Sequence, residues 1–315
     1  MAQITTGVAG LDIGKDWLDA AIHDARAKLR VRNDAQDYGE LICWLRRHRV
    51  GRVGMEASGG YERNVARSLR ESGVEVVVLQ PIQVRAYGMF KLRRAKNDRL
   101  DADLIAAAAV DADARAAPDP RLESLAERLT FIEQIEEDIV RAKTRLEGFR
   151  LLRQRERMQI EIRRLKQLRL AELKALAAEL DAEADLAERL RLAQSVPGIG
   201  LRTALALIVR MPELGSLSRE KAASLAGLAP FDDDSGRRQG ARHIQGGRSR
   251  VRTSLYAAAL PAAFKWNPAL ITLYQRLKAK GKAHKLIMVA CARKLLAFVN
   301  TVLERQTPWT DRPAV

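Results

Sequence analysis

A long stretch without helix breakers restricts the fold of this chain more than any other feature. Residues 121–193 contain no proline and one glycine, Gly148. Their apolar residues fall at helical spacing: Leu122, Leu125, Leu129, Ile132, Ile135, Ile139, Ile162, Leu165, Leu168, Leu173, Leu176 and Leu180. One continuous helix of that length would span about 100 Å at ~1.5 Å per residue, and much of it could not pack on its own domain. The spacing therefore predicts a coiled coil, either as a hairpin that breaks near Gly148 or between protomers, and hence a homo-oligomer.

Before this region, β-patterned and helical segments alternate. The pattern predicts short strands at residues 8–13, 19–23, 28–32, 52–56 and 74–79, with helices near 37–48 and 61–72. Such alternation is typical of a layered α/β domain with a partly parallel sheet. We interpret Pro81 as the end of the last strand and Asp98 as the start of a long helix.

Four carboxylates in this α/β region are candidate metal ligands: Asp12, Glu56, Asp98 and Asp101. The first two lie in predicted strands, and the last two are three residues apart on one face of a helix. Mg²⁺ prefers oxygen ligands, and two such ions can clamp the attacking and leaving oxygens of a phosphodiester. Each acid taken singly is explained more simply as a turn residue, a helix N-cap or a solvated strand end. Their order, however, is that of RuvC-like members of the ribonuclease H fold.

The balance of charges points to a polyanionic partner. The chain has 55 Lys and Arg against 39 Asp and Glu, which gives a net charge of +16. Residues 195–315 contain 20 of the basic residues and only 7 of the acidic ones. An excess this localised favours a nucleic-acid-binding surface. Membrane headgroups are the alternative polyanion, but we expect no membrane, because no apolar run approaches the ~18–20 residues of a spanning helix. Cys43 and Cys291 form no Cys-x-x-Cys pair, which fits a reducing cytoplasm and no thiolate zinc site.

Two glycine-containing segments stand out in the last third. Val-Pro-Gly-Ile-Gly at 196–200, before a helix predicted at 201–210, resembles a helix-hairpin-helix turn whose amides bind phosphate, although a plain turn explains it as well. Residues 237–252 contain six arginines and no acid, which predicts a pliable basic loop on phosphates before a helix from about 249. The candidate nucleic-acid-binding residues are Arg237, Arg238, Arg242, Arg248, Arg250 and Arg252 here, and Arg93, Arg94 and Lys96 before Asp98.

Taken in order, these blocks resemble the DEDD-type insertion-sequence transposases, which include the pilin-gene invertases. The match comprises the four acids, the helical middle, Val-Pro-Gly-Ile-Gly, Ser235-Gly236 and Gly246-Gly247, and covers nearly the whole chain. Gln245 departs from the pattern, since many relatives carry Lys before the glycine pair. The resemblance implies an α/β plus α fold with a RuvC-like domain at 1–118, a coiled-coil oligomerisation region at 119–193 and a mainly helical transposase domain at 194–310.

The resemblance also implies an activity. It implies a transposase that cuts and rejoins donor and target double-stranded DNA, guided by a structured noncoding RNA that the element encodes. Asp12, Glu56, Asp98 and Asp101 would bind Mg²⁺, for which Mn²⁺ can substitute, and Ser235 would form a covalent link to the cut strand. The two half-sites come from different protomers in this family, so the enzyme is expected to work as a dimer or a dimer of dimers.

The residues around Ser235 do not decide whether a base or a metal ion activates its hydroxyl. A serine hydroxyl is a weak nucleophile and needs a base or a metal beside it. His243 and the aspartates at 232–234 make no convincing triad with it, and a borrowed metal ion is the better explanation. Ser249 and Ser254 are more distant candidates for the nucleophile.

Three other functions are considered. The first is a RuvC-type junction nuclease in which water attacks. The second is an actin-like ATPase or sugar kinase, suggested by Leu-Asp-Ile-Gly-Lys-Asp at 11–16 but lacking a second Asp-x-Gly phosphate loop between strands. The third is a non-catalytic nucleic-acid scaffold. Aromatic residues make up 5% of the chain and the tryptophans show no spaced pattern, so stacking of single-stranded bases is not predicted.

Overall fold

The structure, a computed structural model, describes residues 7–91, 98–112, 119–231 and 243–310, without the side chains of 98–100 and 231. The chain divides into two compact units at Ala117 and Pro118. Each unit has its own hydrophobic core.

A five-stranded mixed sheet forms the centre of the first unit. Its strand order is β3-β2-β1-β4-β5, with β1 to β3 antiparallel and β4 and β5 parallel to β1. The strands are β1 (Gly7–Ile13), β2 (Trp17–Ile22), β3 (Lys28–Arg32), β4 (Val50–Glu56) and β5 (Glu75–Leu79). The five predicted strands are confirmed to within two residues at each end. A mixed α/β unit with a partly parallel sheet is therefore established.

Four helices accompany this sheet among the described residues: α1 (Tyr38–Arg47), α2 (Glu62–Glu71), α3 (Pro81–Phe90) and α4 (Asp98–Val110). The interpretation of Pro81 missed α3. Pro81 occupies the first turn of that helix, where its missing N–H is not needed, and Gln80 and Gln83 form a reciprocal cap. The proline thus ends a strand and starts a helix within two residues.

α4 lies directly on the sheet because two glycines leave room for its backbone. Gly10 of β1 and Gly54 of β4 are register partners, and α4 packs over both. A Cβ atom at Gly10 would lie 2.1 Å from the carbonyl oxygen of Ala102 and 2.3 Å from the backbone nitrogen of Ala106. A Cβ atom at Gly54 would lie 2.4 Å from the Cβ of Ala109. Neither position accepts a side chain unless the helix moves.

The second unit begins with two long helices that pack against each other. α5 covers Pro120–Gly148 and α6 covers Leu152–Asp181, so the long helical region breaks close to Gly148. Apolar residues near the base of this hairpin join the core of the C-terminal helices. Those farther out form a separate group from α5 and α6 alone: Ile135, Ile139, Ala142, Ile162 and Leu165. The outer half of the hairpin is therefore held by its own apolar seam.

Charges on this hairpin are segregated rather than interleaved. Residues 141–169 carry eleven Lys or Arg and three Asp or Glu, whereas the rest of 122–194 carries four and twelve. Arg150, Arg153 and Arg157, at or near the turn, are exposed and have no ion-pair partner among the described residues. The zero net charge of the region is thus the sum of a basic outer end and an acidic base.

The remaining helices surround one large core. They are α7 (Ala184–Ser195), α8 (Leu201–Arg210), α9 (Arg219–Leu225), α10 (Ser249–Pro261), a π-helical turn (Ala262–Trp266), α11 (Pro268–Ala279) and α12 (His284–Arg305), with the short strands β6 (Pro230–Phe231) and β7 (His243–Ile244) between α9 and α10. α12 is long and apolar enough to cross a membrane by composition alone. Its apolar residues, such as Cys291, Leu295 and Val299, are buried in this core, which accounts for that composition.

Replacing Gly10 with alanine should destabilise the first unit. The added methyl group would overlap the backbone of α4. We therefore expect the free energy of unfolding to fall by about 1–3 kcal/mol, the usual range for overpacking. Urea unfolding followed by circular dichroism measures it. Gly39→Ala on α1 is the matched control, because a Cβ atom there meets nothing within 4 Å. Equal stability of Gly10→Ala and the wild-type chain would contradict the close contact.

Candidate active site

Asp12 and Glu56 lie at corresponding ends of two neighbouring parallel strands. Leu11 of β1 pairs with Met55 of β4, and each acid is the next residue along its strand. Side chains alternate along a strand, so Asp12 lies on the same face as Gly10 and Glu56 on the same face as Gly54. That face is the one α4 covers. The close approach of α4 therefore brings its first turns to both carboxylates.

Asp101, in the first turn of α4 after Asp98, is close enough to act on Glu56. Burial raises the pKa of Glu56, and the Asp101 carboxylate raises it further, while the Arg85 guanidinium of α3 opposes the rise. Asp98 is the first residue of α4, and its side chain lies outside the described part of the chain. Three of the four predicted carboxylates thus gather at one end of the sheet.

These carboxylates do not by themselves form a complete metal site. Within the described side chains, no three His, Cys, Asp or Glu groups are close enough together to hold an ion. The donors at this end of the sheet are carboxylate oxygens, which suit Mg²⁺ rather than a thiophilic metal. The pKa of Glu56 is raised first by burial and then by the nearby Asp101 carboxylate, and a cation bound between the two groups would offset that repulsion.

The sequence analysis missed a fifth acid beside this group. Asp19 of β2 is the cross-strand partner of Asp12 and is therefore on the same face. Its side chain is 19% exposed and lies 3.8 Å from the Nε of Arg30. Together with Lys28, Arg30 and Ala102 it lines a cavity of about 210 Å³. The tight β1–β2 hairpin sets this register. Alternation of side chains along the two predicted strands, with a turn near Gly14, would therefore have predicted that Asp19 lies on the same face as Asp12.

The turn after β4 is fixed by another carboxylate, Glu62. Its Oε2 accepts hydrogen bonds from the Ser58 N–H at 3.1 Å, the Ser58 hydroxyl at 2.9 Å and the Gly60 N–H at 2.9 Å. Burial raises the pKa of Glu62, but these hydrogen bonds outweigh it and leave the pKa below its ordinary value. Glu62 thus sets the path of the chain as it leaves Glu56.

The segment that contains Ser235 lies outside the described residues, as do Arg93, Arg94, Lys96, Arg237, Arg238 and Arg242. Its base is described. Phe231 pairs with His243 and Pro230 with Ile244 in a short antiparallel ladder. Behind the ladder, Gly247 packs on Gly227 so closely that a Cβ atom on Gly247 would lie 2.2 Å from the Gly227 nitrogen. Phe231 and His243, which flank this segment, are therefore neighbours on the second unit.

The described arginines beside this segment are engaged within the chain. Arg248 donates to both oxygens of Glu213, at 2.7 and 2.6 Å, and to the Arg210 carbonyl. Arg252 donates to the carbonyls of Gly246 and Gly227. Arg250 pairs with Glu133, a carboxylate on α5 that is 8% exposed. These contacts hold the base of the segment, and phosphate binding by the three arginines stays a prediction.

Two other sequence features have structural explanations. The turn at 196–200 packs into the core: Gly198 has a φ of +100° and a Cβ atom there would lie 2.4 Å from the Cβ of Ala262. Asn267 donates to the Pro197 carbonyl at 3.0 Å. Ser254 is buried and its hydroxyl accepts a hydrogen bond from Arg202, whereas Ser249 is exposed at the start of α10. Burial of Ser254 argues against it as a nucleophile.

Comparison with known proteins identifies the class. A family model of DEDD transposases of the IS110 type matches residues 9–154, and a model described as transposase IS116/IS110/IS902 family matches residues 190–275. The first span contains all four predicted carboxylates, and the second contains Ser235 and the arginine-rich segment. The protein is therefore a DNA transposase, a recombinase that acts on DNA.

Two relatives match nearly the full length of the chain. The chain is 26% identical over 327 residues to the pilin gene-inverting proteins of Moraxella bovis and Moraxella lacunata, covering 96% of this chain and 97% of each relative. It is 30% identical over 141 residues to an IS110 insertion-element protein of 43.6 kDa from Streptomyces coelicolor, covering 44% of this chain and 35% of that protein. The chain belongs to the IS110 family of insertion-sequence transposases, as the sequence resemblance indicated.

Glu56→Gln and Glu62→Gln should change stability in opposite directions. The pKa of Glu56 is higher in the folded chain than in the unfolded chain. The free energy of unfolding therefore falls as the pH rises from the unfolded-state pKa to the folded-state pKa, and ionised Glu56 destabilises the fold at pH 7. Its replacement should stabilise the fold, by no more than about 1 kcal/mol because the group is partly exposed. Glu62 has a lowered pKa, and its stabilisation is present above the ordinary pKa and lost as pH falls.

We expect Glu62→Gln to lower the stability at pH 7 by about 1 kcal/mol. Unfolding temperatures measured from pH 4 to 8 without divalent metal give both effects. The difference between Glu56→Gln and the wild-type chain should shrink at acidic pH. A Glu56→Gln variant less stable than the wild-type chain at pH 7 would show that the carboxylates are not crowded.

Proposed function

We propose that this transposase cuts and rejoins DNA with a RuvC-like carboxylate site and a serine nucleophile, guided by an RNA that its element encodes. One observation carries the proposal: Asp12 and Glu56 end neighbouring parallel strands, and Asp101 of α4 acts on Glu56. This delivery of acids from two strand ends and one helix matches the RuvC-like arrangement that the sequence resemblance implies.

Asp12, Glu56, Asp98 and Asp101 would hold Mg²⁺, or Mn²⁺ in its place. When bound, the ion polarises a phosphodiester oxygen and offsets the negative charge that develops there. The chain contributes the placement of the carboxylates, which depends on α4 lying close to the sheet. Arg85 reduces the repulsion between these acids before DNA is present.

Ser235 is the proposed nucleophile. Its Oγ would bond to the scissile phosphorus, the bond from that phosphorus to one sugar oxygen would break, and the serine proton would pass to a base while the released oxygen takes up a proton. Attack of a strand-end hydroxyl on the serine-linked phosphate would then rejoin DNA and free Ser235. The ladder and glycine contact at the base of residues 232–242 support this role, because they fix where the segment starts and ends.

RNA guidance and assembly from dimers complete the proposal. The relatives in Moraxella are named for inverting a pilin gene, which supports recombination between two DNA sites here. If RNA base pairing selects the sequence, the protein needs mainly phosphate contacts, in keeping with its net charge of +16. A RuvC-type nuclease that uses water is the competing function, and it would leave no bond between protein and DNA.

A covalent-adduct assay separates these two functions. The protein is co-expressed with the noncoding DNA that flanks its gene, and donor DNA, target DNA and Mg²⁺ are added. We expect DNA that stays attached to protein after denaturation, abolished by Ser235→Ala and by Asp12→Asn but retained by the control Ser249→Ala. Cleavage without an adduct, unchanged by Ser235→Ala, would establish the nuclease instead.

Mixing two inactive variants tests the composite site. If the carboxylates and the serine of one active site come from different protomers, Asp12→Asn and Ser235→Ala proteins should regain strand exchange when co-assembled. The rate of strand exchange by each variant alone should fall by at least about 100-fold, the scale seen when one essential catalytic group is removed. No recovery in verified mixed oligomers would place both groups of a site in one chain.

A further inference from the structure

Three aromatic rings, those of Phe264, Tyr274 and His284, gather at the surface of the second unit. Phe264 and Trp266, in the π-helical turn, are each 56% exposed. The Phe264 ring lies 4.8 Å from that of Tyr274 on α11 and 6.4 Å from that of His284, which it faces at an interplanar angle of 19°. A contiguous group of exposed apolar rings marks a binding surface more often than isolated apolar residues do.

Exposed lysines are frequent in the same segment of the chain. Residues 235–303 contain fourteen Lys or Arg and no Asp or Glu. Lys278, Lys280, Lys282 and Lys285 are exposed around the turn from α11 to α12, and no ion pair joins them to any described carboxylate. Lys265 lies over the Trp266 ring, with its Nζ 5.0 Å from the ring centroid. We call these three rings, the exposed Trp266 of the same π-helical turn and these five lysines the aromatic–lysine surface.

The charge of this surface decides what kind of partner it fits. A symmetric contact with a second copy would place the lysines of both copies opposite one another, and like charges across an interface are costly. Double-stranded DNA would satisfy the lysines but leave the exposed rings without a function, because paired bases are already stacked. Unpaired nucleotides satisfy both, since every base has a face that stacks on an aromatic ring and every phosphate carries a negative charge.

We propose that the aromatic–lysine surface binds a short run of unpaired nucleotides, with a base stacked on Trp266 and phosphates on the lysines. The proposal goes beyond the function argued above, because it needs neither the carboxylates nor Ser235. It also revises the expectation that single-stranded bases find no stacking surface, because folding joins the Phe264 ring to the rings of Tyr274 and His284.

Fluorescence of Trp266 in the full-length protein gives a direct test. The probes are oligo(dT), oligo(U) and a blunt DNA duplex, each of about 12 nucleotides or base pairs, within the usual site size of such surfaces. The fluorescence of Trp266 is obtained by subtracting the emission of Trp266→Phe from that of the wild-type chain. We expect quenching by oligo(dT) or oligo(U) and none by the duplex. Trp17→Phe is the matched control, because Trp17 is also exposed and also lies under cations.

Affinities measured against salt separate stacking from charge. Trp266→Ala should weaken binding of the single strands by about 5- to 100-fold with an unchanged salt slope, since stacking releases no counterions. The triple variant Lys278→Gln, Lys280→Gln, Lys282→Gln should weaken binding and lower the salt slope by about 0.7 for each lost phosphate contact. The triple Arg150→Gln, Arg153→Gln, Arg157→Gln is the control with equal loss of charge, and it should leave the Trp266 quenching in place.

Two results would overturn the proposal. One is wild-type affinity for both single strands in Trp266→Ala, with its circular dichroism unchanged. The other is equal quenching of Trp266 by the duplex. Tighter binding of oligo(U) than of oligo(dT) would identify RNA as the source of the unpaired nucleotides, and the reverse would identify DNA. Ser235→Ala and Asp12→Asn should bind as the wild-type chain does, so a failed active-site proposal leaves this test intact.

Discussion

The contact between α4 and the glycine pair Gly10–Gly54 is the constraint on which the first unit depends. Helix backbone reaches sheet backbone there because neither strand has a side chain at that point. Burial is the main cause of the raised pKa of Glu56, and a larger separation would expose Glu56 and carry Asp101, the second cause, away from it. The two glycines thus position the carboxylates of Glu56 and Asp101. In this way a small sheet brings together acids that are distant in the sequence.

In the second unit a buried carboxylate has the corresponding role. Glu133 of α5 is 8% exposed and is contacted by Arg202 and Arg210 of α8 and by Arg250 of α10. It therefore ties the helical hairpin to the helices that follow the turn at 196–200 and the Ser235 segment. Loss of Glu133 would leave three guanidinium groups close together without their shared partner, which is the costly way to break a buried ion pair. The hairpin is accordingly part of the C-terminal core at its base and free of it farther out.

Local patterns predicted the strands, the long helices and the break near Gly148, because alternation and helical spacing are properties of neighbouring residues. They did not predict α3, since Pro81 serves as both a strand end and a helix start. Asp19 escaped notice because its relevance depends on pairing with Asp12 across a hairpin. The pairing of Arg248 with Glu213 and of Arg250 with Glu133 joins residues far apart in sequence, so composition alone assigned these arginines to phosphate. Ser235 and its nearest arginines lie outside the described residues, and their roles stay predictions.

Arg248 and the lysines of the α11–α12 turn are used differently by the fold, and the difference follows from their chemistry. The planar fork of arginine matches a carboxylate at two points, which suits Arg248 for its pairing with Glu213 within the fold. The ammonium of lysine is a strongly hydrated point charge, and Lys278, Lys280, Lys282 and Lys285 accordingly stay exposed. A guanidinium already neutralised by a carboxylate attracts a phosphate far less than a free ammonium does. Among the described residues of the last third, the lysines at the turn from α11 to α12 therefore offer a phosphate more accessible positive charge than the arginines beside the Ser235 segment do.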